Sequence, residues 1–496
     1  MEKIVILNSS DNVAVATTDL AAKDTVELNG QQLELLTDVP VGNKVAFQDL
    51  AAGDAIIKLG QTIGQATTAI KAGQLVNEDN LASATDSQPQ VVSATSDLSK
   101  YISKQTFMGY RRKNGKVGIR NDLFIVPTVG CITPLMDVMV QQFKAVHPDN
   151  GSFDNIILLK HPYGCSQLGD DFEQTRQILC DAVMHPNAGG VLVFGLGCEN
   201  NQMDGMKETI EKMGGIDPQR MKFLVAQEVK DEFANAQQML EELNDAAAND
   251  HREEIPLSEL KVGLQSVQPD ALAPLTADRL LGHLANVVNA NGGTTVMTGL
   301  PKLAADQKVF EAKSDSKETA EKVDRIFNHM KDYYGEFNQQ MIKEPSAKEK
   351  ANGVTTPAES AANLAQKGGV APVADALFYD KKAEKAGLTL LEGPNNDLIE
   401  SSAEASADCQ MVITSTGVAT PYASFVPSVK VATNSELAAK KKRWIDFDGG
   451  QVLNKPFDEV AKDFVDYIIA VASGEKTNNE KSGLHGLAIF KIGVTE

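Results

Sequence analysis

The chain has 496 residues, 42% of them apolar and 23% charged, and a net charge of −20. That length exceeds one compact core and points to two or three domains, and the acidic balance argues against nucleic-acid binding, which needs a basic face. No apolar run approaches the ~20 residues that span a bilayer, and the opening MEKIVILNSS lacks the parts of a signal peptide, so the expected location is cytoplasmic.

Residues 1–82 read as a small all-β unit. Short strand-like runs at Lys3–Leu7, Val13–Thr17, Thr25–Leu28, Lys44–Phe47 and Ala55–Lys58 alternate with Gly and Asp turns. Residues 83–104 are rich in Ser, Thr, Ala and Asp and read as a linker. Beyond it the texture becomes α/β, divided into 105–250 and 251–496. Strands are expected at Leu123–Val129, Ile156–Leu159, Val191–Leu196, Lys222–Ala226, Leu260–Leu264, Thr294–Thr298, Leu388–Leu391, Met411–Thr414 and Val429–Ala432, with helical patterns between them. Such alternation predicts parallel, Rossmann-like sheets. Tyr333–Ala371 is polar and weakly periodic and reads as a long crossover, and Lys440–Arg443 as a solvated helix end.

Five cysteines in a chain of this size do not form a disulfide framework, and there is no CxxC. Cys180 falls in the amphipathic pattern Phe172–Val183, and Cys409 opens a strand-like run; both read as packing residues. Cys131 reads as packing beneath a turn, and His185 as a structural residue of a turn.

Two apolar runs end abruptly in reactive groups: NIILLKHPYGCSQLGDD delivers Lys160, His161 and Cys165, and GGVLVFGLGCENNQ delivers Cys198, Glu199, Asn200 and Asn201. Open α/β sheets bind ligands beyond the carboxyl ends of their strands, so the two loops are expected to share one site. His161, Cys165, Cys198 and Glu199 are all possible ligands of a divalent transition metal. Blander roles stand beside these: His161 bonding a loop carbonyl, and Glu199 capping the following helix. No Rossmann glycine fingerprint, P-loop or nucleophile elbow is present.

Taken together, GYRRKNGKVGIRNDL, HPYGCSQLGDD, HPNAGGVLVFGLGCENNQ, EGPNNDL and FVPSVKVATNS…WIDFDGG resemble the altronate/galactarate dehydratase family over nearly the whole chain, and VPVGNKVAFQDLAAGDAIIKLGQTIGQATTAIKAGQLV resembles its SAF-type (β-clip) domain. The resemblance implies a hydro-lyase. It would convert a hexonate or hexarate to a 2-keto-3-deoxy sugar acid with a divalent metal, Fe2+ foremost, and act as a homodimer. It implies catalytic roles for His161, Lys160 and Glu199, substrate contacts from Arg120, Asn121, Asn200, Asn201 and Lys430, and metal ligation by His161, Cys165 and Cys198.

The family's pattern also differs from this chain. It has histidine where Phe172 and Asn43 stand, a His-x-His-Asn-like segment at Asn77–Asn80, and a Lys-Cys-Gly-Gly-Ser-Asp-Gly-like motif at Gln265–Ala271. It has glutamate at Gly299 and arginine at Val418. Ligands and charged groups thus become amides, apolar residues or glycine. An alternative to an active enzyme is therefore an impaired paralogue that binds a sugar acid or stabilises a partner subunit.

Overall fold

The structure is a computed structural model that describes residues 3–28, 30–83 and 97–493; most of the expected linker lies outside them. The N-terminal region holds nine short strands: β1 (Ile4–Val5), β2 (Val13–Ala16), β3 (Thr25–Leu28), β4 (Gln31–Glu34), β5 (Lys44–Ala46), β6 (Ala55–Lys58), β7 (Gln61–Ala66), β8 (Leu75–Val76) and β9 (Leu81–Ala82). They pair antiparallel in sheets ordered β1-β2-β5-β8, β3-β4 and β6-β7-β9.

A small antiparallel sheet follows, built from β10 (Thr106–Arg111), β11 (Val117–Gly118) and the later β16 (Glu253–Pro256). Around it stands a parallel unit of β12 (Asp122–Pro127), β13 (Ile156–Leu158), β14 (Ala188–Gly195) and β15 (Met221–Val225), ordered β13-β12-β14-β15. Its helices are α1 (Thr133–Val146), α2 (Gly169–Val183), α3 (Met203–Lys212) and α4 (Glu232–Ala247). Every residue of β12 is buried, as a strand covered by helices on both faces requires.

The C-terminal unit is a seven-stranded, all-parallel sheet. Its strands are β17 (Lys261–Val267), β18 (Thr294–Met297), β19 (Val373–Leu377), β20 (Gly387–Leu391), β21 (Met411–Thr416), β22 (Ser428–Ala432) and β23 (Phe447–Asp448), ordered β19-β20-β18-β17-β21-β22-β23. Its helices are α5 (Ala277–Ala290), α6 (Leu300–Leu303), α7 (Gln307–Ala312), α8 (Lys317–Glu336), α9 (Ala347–Ala351), α10 (Pro357–Ala365), α11 (Asp397–Ser406), α12 (Ser435–Lys440), α13 (Phe457–Ala472) and α14 (Asn478–Lys481). The polar crossover expected at Tyr333–Ala371 is therefore largely helical. No helix among the described residues is long and apolar enough to cross a membrane.

The two α/β units share one core, in which Phe124, Val193 and Leu179 pack with Ala403, Val412 and Phe425. The helices α2 and α11 pack against each other between the sheets. Lys382 binds Asp181 and Asp408 at their C-terminal ends. The tail bonds Asp171, in the first turn of α2, through Ile492 and Gly493, and Ser402, midway along α11, through Ala488. The N-terminal sheets are pinned to α10 by a buried cluster in which the Nζ atoms of Lys44 and Lys58 each lie 2.8 Å from Glu359. Against the desolvation of burial, these two cations hold the Glu359 carboxyl at about 2.

Candidate functional site

The loops after β12, β13 and β14 meet as the strand-end rule anticipates. Gly130 donates its N–H to Tyr163 O (2.9 Å) and Asn201 to Gly164 O (3.0 Å), while Ser166 N–H bonds Asn200 Oδ1 at 2.9 Å. The loops therefore share one surface. Most of the side chains expected to do chemistry there are instead used to hold it together.

His161 is buried. Its Nδ1 accepts from Tyr163 N–H at 3.1 Å, which leaves Nε2 as the protonated nitrogen, and Nε2 donates to Pro127 O at 2.8 Å. Both ring nitrogens are committed to backbone, and burial holds the ring below its ordinary pKa, keeping it neutral. Glu199 is buried as well. It accepts from Thr128 Oγ1 (2.6 Å) and from the N–H groups of Leu196 (3.1 Å) and Gly197 (2.6 Å), which ties its own loop to the end of β12. Asn201 bonds Thr128 O and accepts from Arg176, whose guanidinium lies 4.5 Å from the Phe172 ring centroid. Lys160 reaches outward to Asp137 at 2.7 Å.

Arg120 and Asn121 precede β12 and so lie at the opposite, amino end of the sheet. Arg120 is fully buried, and its Nε, Nη1 and Nη2 atoms bond Glu480 and the carbonyls of Ile119, Val471 and Glu475. Every guanidinium donor is thereby used. Asn121 accepts from Arg112. The expectation that these two hold substrate is corrected: Arg120 clips the central unit to the C-terminal helices, and Asn121 bonds Arg112, Ser152 and Asp154 within the central unit. Cys131 is exposed, not packed beneath a turn, and Cys165 and Cys198 are exposed as well; Cys180 and Cys409 are buried, as expected.

The residues do not fit a single Fe2+ on His161, Cys165 and Cys198. The histidine has no free lone pair, and among the described residues no three His, Cys, Asp or Glu side chains gather as one ion requires.

A second polar cluster lies inside the C-terminal unit. Gln265, Thr414 and Lys430 are register partners across β17, β21 and β22 and so form one row on a single face of the sheet. The helix α11, started by Asn396 accepting from Ile399 N–H, covers this part of the sheet. Its residue Glu400 lies 3.4 Å from Gln265 Nε2, and Glu404 accepts from Thr298 Oγ1 at 2.8 Å. Tyr422 donates its hydroxyl to Gln265 Oε1 at 2.8 Å, and the Lys430 ammonium sits 5.5 Å from the Tyr422 ring centroid and donates to Thr420 O.

The electrostatics of this cluster are unusual. Burial pushes both Glu400 and Glu404 above the ordinary carboxylate range, and one oxygen of each carries no hydrogen bond. Burial also lowers Lys430, to about 8. Lys367 is buried, lowered by desolvation, and faces Glu400, Asp278, Lys302 and Glu404 across the strand ends. A Cβ at Gly299 would come within 3.8 Å of its ammonium. Neighbouring groups driven in opposite directions mark a site of acid–base chemistry.

Of these residues Lys430 was singled out from the sequence as a substrate contact, and Gln265 and Gly299 only as departures from the family pattern. Glu400 and Glu404 carried a usable signal: in α11 they share an i, i+4 stripe with the buried Ala403 and Ala407, so the acids fall on the packed face. A cleft of about 1010 Å³ lies elsewhere, between the N-terminal strands and α5 and α13, and touches neither cluster.

Three family models cover the chain: "Altronate/galactarate dehydratase SAF domain" at residues 2–84, "D-galactarate dehydratase/Altronate hydrolase, second domain" at 109–248, and "D-galactarate/Altronate dehydratase, C-terminal" at 257–495. The chain is 41% identical to altronate dehydratase of Bacillus subtilis over 499 aligned residues, covering all of both chains. It is 42% identical to altronate dehydratase of Escherichia coli over 99% of each chain. Identity to the galactarate dehydratase (L-threo-forming) of Escherichia coli is 26%, over 98% of this chain and 96% of that one. Matched from its N-terminal SAF domain to its C-terminal sheet, the chain belongs to the altronate/galactarate dehydratase family of hydro-lyases.

Proposed function

We propose that the protein removes water from a hexonate or hexarate, altronate foremost, to give a 2-keto-3-deoxy sugar acid. One observation carries the reading: a lysine lowered to about 8 and a carboxyl raised by burial lie on the same polar face of the C-terminal sheet, Lys430 in the row with Thr414 and Gln265 and Glu404 against Gly263 and Thr298. A dehydration needs both. A base must take the weakly acidic proton at C2, and an acid must protonate the hydroxyl leaving from C3. Lys430, with a substantial neutral fraction near pH 8, takes the C2 proton. Glu404, protonated at neutral pH, gives its proton to the C3 hydroxyl, which departs as water. The C2–H and C3–O bonds break, a C2=C3 enol forms, and it tautomerises to the 2-ketone. Lys367, buried among Glu400, Asp278 and Glu404, holds the substrate carboxylate. The enzyme works as a cytoplasmic homodimer in this reading.

The test is to incubate the full-length protein, prepared without oxygen and supplied with ferrous iron, with altronate or galactarate and to measure 2-keto-3-deoxy acid. Turnover of altronate is expected; absence of product from both acids contradicts the reading.

Gln265 and Gly299 favour a second reading. They stand where the family pattern carries lysine and glutamate, one beside Glu400 and the other beside Lys367. Loss of both charges fits a subunit that binds the sugar acid without turning it over. Calorimetric binding of altronate with no product separates this from the first reading.

A further inference from the structure

We infer that the cleft between the N-terminal strands and the helices α5 and α13 binds a phosphate ester carrying a planar ring, of mononucleotide size, and that its occupant acts on the polar sheet face behind it. The cleft has a volume of about 1010 Å³, at the upper end of small-molecule sites, so a ring and a phosphate fit together. Its walls come from Asn8 and Gly60 of the N-terminal region, the segment Lys100–Gln105 ahead of β10, and the helices α5 and α13.

The cations of the cleft are largely unpaired. The Arg279 guanidinium lies 3.8 Å from the Phe457 ring centroid, and the Lys100 ammonium 5.0 Å from that of Tyr101. Among the described residues neither makes a hydrogen bond or an ion pair. Lys313 donates to Gly369 O at 3.2 Å and keeps two donors. Lys462 and Asp466 neutralise one another. The lining thus carries three further cations against one further acid, Asp458. In a chain of net charge −20, this local reversal of sign draws anions. A guanidinium held flat on a ring presents its edge donors as a fork, which matches two oxygens of a phosphate.

The rest of the lining calls for a ring. Tyr101, His283 and Phe457 stand in a row, each pair edge to face, with centroids 5.3 and 5.7 Å apart. Burial lowers His283 and keeps its ring neutral. Ile102 and Val370, 66% and 42% exposed, line the same cleft. A bare inorganic anion leaves this surface wet, whereas a planar ring stacks on it and covers it.

The cleft also backs onto the polar face of the C-terminal sheet. Asp278 and Arg279 are consecutive in α5, and Gln366 and Lys367 are consecutive in the turn packed against it. Arg279 and Gln366 line the cleft. Their neighbours look the other way: Asp278 accepts from Ser266 Oγ of β17 at 3.0 Å, and Lys367 faces Glu400 and Asp278. Helix and turn are in backbone contact, since a Cβ at Gly282 would meet Gln366 O at 2.2 Å, and Asn286 Oδ1 accepts from Val370 N–H at 2.8 Å. A ligand that fixes Arg279 and the turn therefore fixes Asp278 and Lys367, and changes the affinity for a sugar acid held there. That link rests on the proposed function; the site itself does not.

The experiment is calorimetric titration of the full chain with AMP, inorganic phosphate and adenosine, followed by altronate turnover with and without AMP. AMP should bind about tenfold or more tightly than phosphate or adenosine. Arg279→Ala should weaken AMP about 10–100-fold, as loss of charge-assisted bonds does. Lys100→Ala, at an exposed position, should weaken it less and keep the wild-type unfolding midpoint. No AMP binding overturns the proposal, as does phosphate or adenosine binding as tightly as AMP, or unchanged AMP binding in both variants. Glu404→Gln should bind AMP as wild type does; a loss as large as that of Arg279→Ala would place AMP on the sheet face and also overturn it. Saturating AMP should shift the altronate KM about fivefold or more, and an unmoved KM overturns the link. AMP binding without turnover of altronate or galactarate supports the site and counts against the dehydratase reading. Altronate turnover without AMP binding does the reverse.

Discussion

The two parallel sheets spend their polar residues in opposite ways. At the carboxyl ends of the central sheet, His161, Glu199 and Asn201 have their hydrogen-bonding atoms paired within the loops they hold. In the C-terminal sheet, Glu400 and Glu404 each keep an unpaired buried oxygen, and Lys367 and Lys430 are buried cations lowered by desolvation. A satisfied buried network makes structure rigid, whereas an unsatisfied one stores free energy that a ligand can recover. The contrast therefore separates strand-end loops whose buried polar side chains are paired from a sheet face whose buried acids keep unpaired oxygens.

Substitutions on the two sides should separate accordingly. The largest structural effect is expected at the clip between the units. Arg120→Met strands Glu480 in the interior and should cost about 3–5 kcal/mol in denaturant unfolding, as breaking one side of a buried ion pair does. Against the raising effect of burial, Arg120 holds the Glu480 carboxyl at about 2. The stabilisation from this pair is thus present above the ordinary carboxylate range and is lost as the pH falls towards about 2. If Arg120 instead held substrate, the variant would raise KM and leave the unfolding midpoint in place.

Glu404→Gln preserves shape and the bond from Thr298, so its unfolding should be unchanged or more resistant. Its kcat should fall about 10²–10⁴-fold, the usual contribution of a positioned acid. A smaller effect is expected at His161→Ala, which leaves Pro127 O and Tyr163 N–H without partners at a cost of about 1–3 kcal/mol. Unaltered stability with abolished activity would restore His161 as a base or ligand. Least affected should be Lys160→Ala, which breaks an exposed pair with Asp137 worth about 0–1 kcal/mol; a marked rise in KM would return it to the site.

Much of the fold was legible because parallel strands buried on both faces read as continuous apolar runs, and β12, β14 and β21 are of that kind. The strands that escaped notice lack such runs, among them β4, β7, β11 and β23. The strands β8 and β9 have two residues each, β10 and β16 form a half-exposed antiparallel pair, and β19 is broken by Asp375. Chemistry was harder to read. Sequence locates His161 and Glu199 at strand ends but does not reveal that backbone groups consume their hydrogen-bonding capacity. Arg120 precedes its strand, so the strand-end rule already placed it on the far side. Lys367 is the middle residue of the short helical turn Gln366–Gly368, where composition resembles that of any surface segment; only packing makes it a buried lysine.

The central claim is that acid–base chemistry resides on the polar face of the C-terminal sheet, and the pH dependence of altronate dehydration in wild type and Lys430→Met tests it most directly. Because the neutral amine is the active form and burial lowers Lys430 to about 8, wild-type kcat/KM should rise with pH and level off above about 8. The Lys430→Met protein should lose that rise together with about 10²-fold or more in rate, with its unfolding midpoint retained. Equal rates and an identical pH profile in the two proteins would contradict it.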